Sequence, residues 1–114
     1  HQVVLAVHIG QRDQSRDATI RVQKLQTLRE KYYLKFAAER KASQLQQLVD
    51  FLLGHPIVNI SQVQIALKVK DFKTAQRYIA KLQDAKILTE ITGKSRNRLF
   101  RANEILRAIE EPLP

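Results

Sequence analysis

The 114 residues suffice for one hydrophobic core, or for one small domain with a helical extension, and 44% hydrophobic residues with three Gly and three Pro exclude disorder. A formal charge of +9 and a pI near 10.2 point to polyanions: nucleic acid, an acidic protein surface or, third, a membrane surface. Zero Cys excludes disulfides and thiolate metal sites, and it fits a cytoplasmic protein.

The longest apolar run near the start, Val3-Val4-Leu5-Ala6-Val7, is too short to span a membrane and lacks the flanks of a signal peptide, which predicts a soluble chain. Residues His1 to Ile9 read as a separate apolar turn or helix ending at Gly10. An opening at His1 rather than Met predicts a piece of something longer, whose parent could do chemistry that this piece does not.

From Gln14 to about Ala38 there is no Gly or Pro, and Val22, Leu25, Leu28, Tyr32 and Phe36 recur at three- and four-residue steps, which predicts a long amphipathic helix. Helical spacing also assigns Tyr32, Tyr33 and Phe36 to packing; exposed, they would mark a dimer or interdomain contact. A second helix is predicted over Ala42 to Leu53, burying Leu45, Leu48, Val49 and Leu52 and stopping at Gly54-His55-Pro56, where Gly permits a left-handed residue and Pro forbids continuation.

Ile57 to Ile60 is β-prone, and Ser61 is the expected N-cap of a helix over Gln62 to Leu67 with Val63, Ala66 and Leu67 inward. After Lys68-Val69-Lys70, Asp71 should cap a helix from Phe72 to about Ala85 that buries Ala75, Ile79 and Leu82. Ile87 to Thr92 and Asn97 to Arg101 flank Gly93-Lys94-Ser95-Arg96 as a β-hairpin. A last helix over Asn103 to Glu110, with Ile105, Leu106 and Ile109 apolar, ends before Pro112 and Pro114.

The expected fold is therefore mainly α with a small β-hairpin, a winged helix-turn-helix over 42–114 preceded by a helical linker or dimerisation segment over 1–41. In such a module the second helix of the pair fits a major groove about 12 Å wide. Its candidate contacts are Lys73, Thr74, Gln76, Arg77 and Lys81, which combine phosphate charges with donors for base edges. The wing adds Lys94, Arg96 and Arg98, with Arg101 beyond them and no acid between, for backbone or minor-groove contact.

Between Lys68 and Arg101 ten Lys or Arg face three acids, so the basic charge is concentrated on this module. Double-stranded DNA is the partner this predicts. The alternative is a protein-interaction or dimerisation domain in which the basic face only solubilises. His1, His8 and His55 are scattered without carboxylates at ligand spacing, so no metal site is expected. No phosphate-binding or dinucleotide fingerprint occurs among the isolated Gly, and no cofactor or catalysis is expected of these residues.

Ile60-Ser61-Gln62-Val63, Lys73-Thr74-Ala75-Gln76-Arg77 and the run Ile87 to Phe100 resemble the C-terminal winged helix of Fic-family proteins, with the wing segment the most specific match. Gln14 to Ala18 and Leu25 to Tyr32 are similar to the helix that follows the catalytic core there, so the resemblance covers nearly the whole chain. It implies a parent that transfers AMP from ATP to a hydroxyl on a target protein. The family's motif His-Pro-Phe-x-x-Gly-Asn-Gly-Arg is absent, because His55-Pro56 runs into Ile57-Val58-Asn59, so no catalytic residue carries over. The turn at Lys70-Asp71 reads one residue longer than the family's usual one. The resemblance also implies the alternative role in its sharper form, a domain that positions or regulates an upstream AMP-transferring core.

Overall fold

The computed structural model describes residues 12–93 and 98–110, and over them the apolar periodicities resolve into five helices and three short strands. These are α1 (Arg12–Phe36), α2 (Ala42–Gly54), β1 (Ile57–Asn59), α3 (Ile60–Leu67), α4 (Phe72–Asp84), β2 (Thr89–Glu90), β3 (Leu99–Arg101) and α5 (Asn103–Glu110). Helix, strand, helix, helix and two strands in that order, from α2 to β3, form a winged helix-turn-helix with the long α1 before it. The apolar segment His1–Gly10, the wing tip Lys94–Asn97 and the stop at Pro112 and Pro114 lie outside the described residues.

One buried cluster holds these elements together. Leu45, Leu48, Val49 and Leu52 of α2 meet Val63 and Leu67 of α3, Ala75, Ile79 and Leu82 of α4, and Ile105 of α5; Val58 and Phe100 of the sheet close it. Tyr32 and Phe36 of α1 belong to the same cluster, with Leu25 and Leu28 packed against it. Val22, expected inward, is instead 52% exposed, while its neighbour Arg21 turns to α5 and donates to the Ile109 carbonyl.

The short strands form a three-stranded antiparallel sheet in the order β1-β3-β2. Val58 pairs with Phe100 and Glu90 with the same Phe100, so β3 is the central strand. The strands are shorter than the alternation suggests: Ile87 and Leu88 are buried ahead of β2 as core residues rather than as sheet residues.

Local signals decide the helix ends, and two differ from expectation. Asn59, not Ser61, caps α3: its side chain accepts from the Gln62 backbone N–H at 2.8 Å while the Gln62 side chain accepts from the Asn59 N–H at 2.8 Å, a reciprocal box that starts the helix at Ile60. Gly54 stays inside α2 without a positive φ; the helix ends because His55 departs from helical geometry, donating its N–H to the Phe51 and Leu52 carbonyls before Pro56. The His55 ring stacks on Phe51 at 4.4 Å, which accounts for this His as packing.

Two adjacent tyrosines fasten α1 on both sides. The Tyr32 hydroxyl donates to Glu104 of α5 at 2.8 Å, where Lys31 also pairs at 3.1 Å. The Tyr33 hydroxyl donates to Asp50 of α2, which also takes the Arg29 guanidinium at 2.8 Å, with that guanidinium 4.6 Å from the Tyr33 ring. Burial, together with Glu104, pushes the Tyr32 phenol above its ordinary pKa. Burial would raise the Glu104 carboxyl too, but Tyr32, Lys31 and Arg107 outweigh it and hold it below the usual glutamate value. Asp50 follows the same logic, its burial being outweighed by Arg29 and Tyr33.

Leu48→Ala, which empties a fully buried position, should cost about 2–5 kcal/mol in denaturant unfolding. The two lowered carboxylates contribute stability that is complete above their unfolded pKa values of about 4 and is lost as the pH falls through their lower native values. Glu104→Gln and Asp50→Asn should therefore be less stable than the parent near neutrality. Unfolding at fixed pH values should show that gap narrowing as the pH falls below about 5; a pH-independent gap would refute the account.

Candidate nucleic-acid interface

The helix-turn-helix starts from how α3 ends. Lys68 adopts the left-handed conformation with φ 56°, and the Val69 and Lys68 N–H groups return to the Gln64 and Ile65 carbonyls at 3.1 and 3.2 Å. Gln64 then donates to the Lys70 carbonyl at 2.9 Å, bracing the turn from inside. Asp71 caps α4 as expected, accepting from the Lys73 N–H at 3.0 Å. A second left-handed lysine, Lys86 with φ 64°, ends this unit: its N–H bonds to the Gln83 carbonyl and that of Ile87 to Leu82, with both apolar partners buried.

Within α4, Ala75, Tyr78, Ile79 and Leu82 turn inward. At 3.6 residues per turn Lys73 and Arg77 fall opposite that stripe, Thr74 and Lys81 fall along one flank, and Gln76 falls on the other. Lys73 and Arg77 are exposed, and among the described residues no carboxylate pairs with either. Arg77 approaches the Thr74 hydroxyl at 3.4 Å. Gln76 and Thr74 are half-buried at the margins of the face.

The remaining candidates are placed differently. Lys81 is ion-paired with Glu39, from the α1–α2 connection, at 2.9 Å. Arg98 pairs with Glu90 across the hairpin at 2.8 Å, with its guanidinium 5.2 Å from the Phe100 ring, so it braces the wing base. The hydrogen bond from Arg98 holds the Glu90 carboxyl below the usual range, and Glu90 raises Arg98 in turn. Arg101 is exposed on β3 and donates to Asn103 at 2.7 Å. Gly93, φ +65°, starts the wing turn in a conformation that a side chain would strain, with open space where a Cβ would sit. Lys94 and Arg96 lie outside the described residues.

Two cations that the sequence reading passed over join the face. Arg40 and Lys41, from the α1–α2 connection, line a cleft of about 360 Å³ together with Thr74, Arg77 and Lys81. The basic pair just before an apolar helix was a visible signal; its meeting with α4, more than thirty positions along, was not.

No group of three His, Asp or Glu among the described residues could hold a metal ion, and no helix among them is long and apolar enough to cross a membrane. Neither protein-family models nor curated proteins give a match to this chain. Asp71→Ala should remove the α4 cap at a cost of about 1 kcal/mol, read as a lowered denaturation midpoint with unchanged slope.

Proposed function

We propose that this chain is a DNA-binding winged helix module, of the kind found at the C-terminus of Fic-family proteins, that acts in the cytoplasm in transcription-regulator fashion and carries no catalytic apparatus itself. The observation that carries the reading is the outward face of α4, where Lys73 and Arg77 stand opposite the buried stripe with no acid paired to them among the described residues. A helix presenting unpaired cations beside hydrogen-bonding Thr74 and Gln76 matches what a major groove offers: phosphates at its rims and base edges on its floor. The ten Lys and Arg between Lys68 and Arg101 supply the long-range attraction.

A second reading, a protein-interaction domain that dimerises or positions an upstream AMP-transferring core, draws on a different observation. Two of the expected contact cations, Lys81 and Arg98, are already compensated by Glu39 and Glu90, while Leu34 on α1 and Ile65 on α3 are 78% and 76% exposed. Under it, the Fic resemblance rather than the charge would name the partner.

Titration of the chain with duplex DNA across a salt series separates the two, with the Arg77, Lys81, Lys94 and Arg96 to Ala variant alongside and a light-scattering mass on each sample. Affinity should fall log-linearly with salt and vanish in the variant. Affinity retained in the variant would refute this contact face. No affinity at low salt, with a dimer mass, would establish the second reading instead.

A further inference from the structure

The cleft between the α1–α2 connection and α4 brings together charges that are far apart in sequence. Arg40 and Lys41 form one wall; Thr74, Arg77 and Lys81 form the other, with Leu45 and Tyr78 at its base. Four cations thus line one concave site, and one acid, Glu39, stands among them. Arg40, Lys41 and Arg77 have no ion-pair partner among the described residues, whereas Lys81 is held by Glu39 at 2.9 Å. Lys41 also occupies the N-cap position of α2 without a side-chain cap, so the positive end of that helix opens beside the same cations.

We infer that this cleft seats a backbone phosphate of the duplex lying on α4, with Arg40, Lys41 and Arg77 as its ligands and Glu39 as an internal anion that the phosphate displaces from Lys81. The inference rests on the nucleic-acid reading and deepens it, extending the interface from the helix-turn-helix to the segment before it. Its chemistry follows from charge and shape. A phosphodiester carries one negative charge on oxygens that accept several N–H donors at once, and a site with cations on two walls surrounds it as an exposed helix face does not. The Glu39–Lys81 pair, with the two side chains 37% and 52% exposed, is weak enough for a phosphate to replace.

This gives the cleft a signature that a generally basic surface lacks, because neutralising its acid should strengthen binding through one particular lysine. Glu39→Gln should raise duplex affinity roughly threefold to tenfold at about 0.1 M salt. The gain should disappear in the Lys81→Ala background, where there is no ammonium to release. Arg40→Ala with Lys41→Ala should weaken binding and lower the slope of log affinity against log salt by about one to two. The substituted side chains are exposed or half-buried, so thermal melts of all variants should match the parent and exclude unfolding as the cause.

An independent arm titrates the free protein with inorganic phosphate, following backbone amide shifts by NMR. Shifts confined to residues 40–45 and 74–81, abolished by the double Ala variant, support the anion site. Duplex binding with an unchanged salt slope in the double variant and no gain in Glu39→Gln would overturn the cleft and leave the α4 reading standing. Phosphate shifts in a protein that binds no duplex would overturn the duplex as the source of the phosphate, together with the nucleic-acid reading, while the anion site itself would stand.

Discussion

Ala75, Tyr78, Ile79 and Leu82 can leave water together only on one side of α4, and that requirement sets the direction of every other side chain on the helix. With this stripe turned to the core, Lys73 and Arg77 have only the outside left to occupy. The neighbouring elements are arranged to keep the stripe covered. α3 brings Val63 and Leu67 into the cluster that holds the stripe, Leu48 and Leu52 of α2 join the same cluster, and the left-handed Lys68 turns the chain from α3 into α4.

The same core extends to α1 through Tyr32 and Phe36, with Leu25 and Leu28 packed against it, so the long helix is fastened to the body. Its attachment is partly polar. Tyr32 and Tyr33 are neighbours in sequence and so point to different sides of the helix, one to Glu104 on α5 and the other to Asp50 on α2. Each hydroxyl satisfies a carboxylate that also receives a cation, and charge-assisted bonds of this kind are stronger than neutral ones. The attachment has a consequence for electrostatics, because it carries the connection after α1 to the flank of α4 and places Glu39 against Lys81 and Arg40 near Arg77.

Net charge alone is a poor guide to where a polyanion would sit on this molecule. Lys81 and Arg98 count toward the positive total, yet each meets a carboxylate at hydrogen-bond distance. Lys73, Arg77, Arg40 and Lys41 count equally and have no acid paired to them among the described residues. A surface pair of this kind stabilises the fold little, but it changes which cations have their charge uncompensated in the free protein, and therefore which part of the surface attracts phosphate.

The sequence by itself determined the elements whose signals are local. The 3.6-residue repeat of Leu45, Leu48, Val49 and Leu52 set α2 and its buried face, Asp71 set the start of α4, and the polar-to-apolar pattern of Asn103 to Glu110 set α5. The cap of α3 was misread, because Ser61 is as good a cap residue by type as the Asn59 that makes the box, and the left-handed turns at Lys68 and Lys86 left no local signal because that conformation favours glycine. What only the tertiary structure decided was non-local: the pairing of β1 with β3, the capture of Arg98 by Glu90, and the meeting of Arg40 and Lys41 with Arg77. Helix periodicity and capping are written in neighbouring residues, whereas the register of two strands or the distance between two charges depends on how the whole core closes. No window along the chain contains that information.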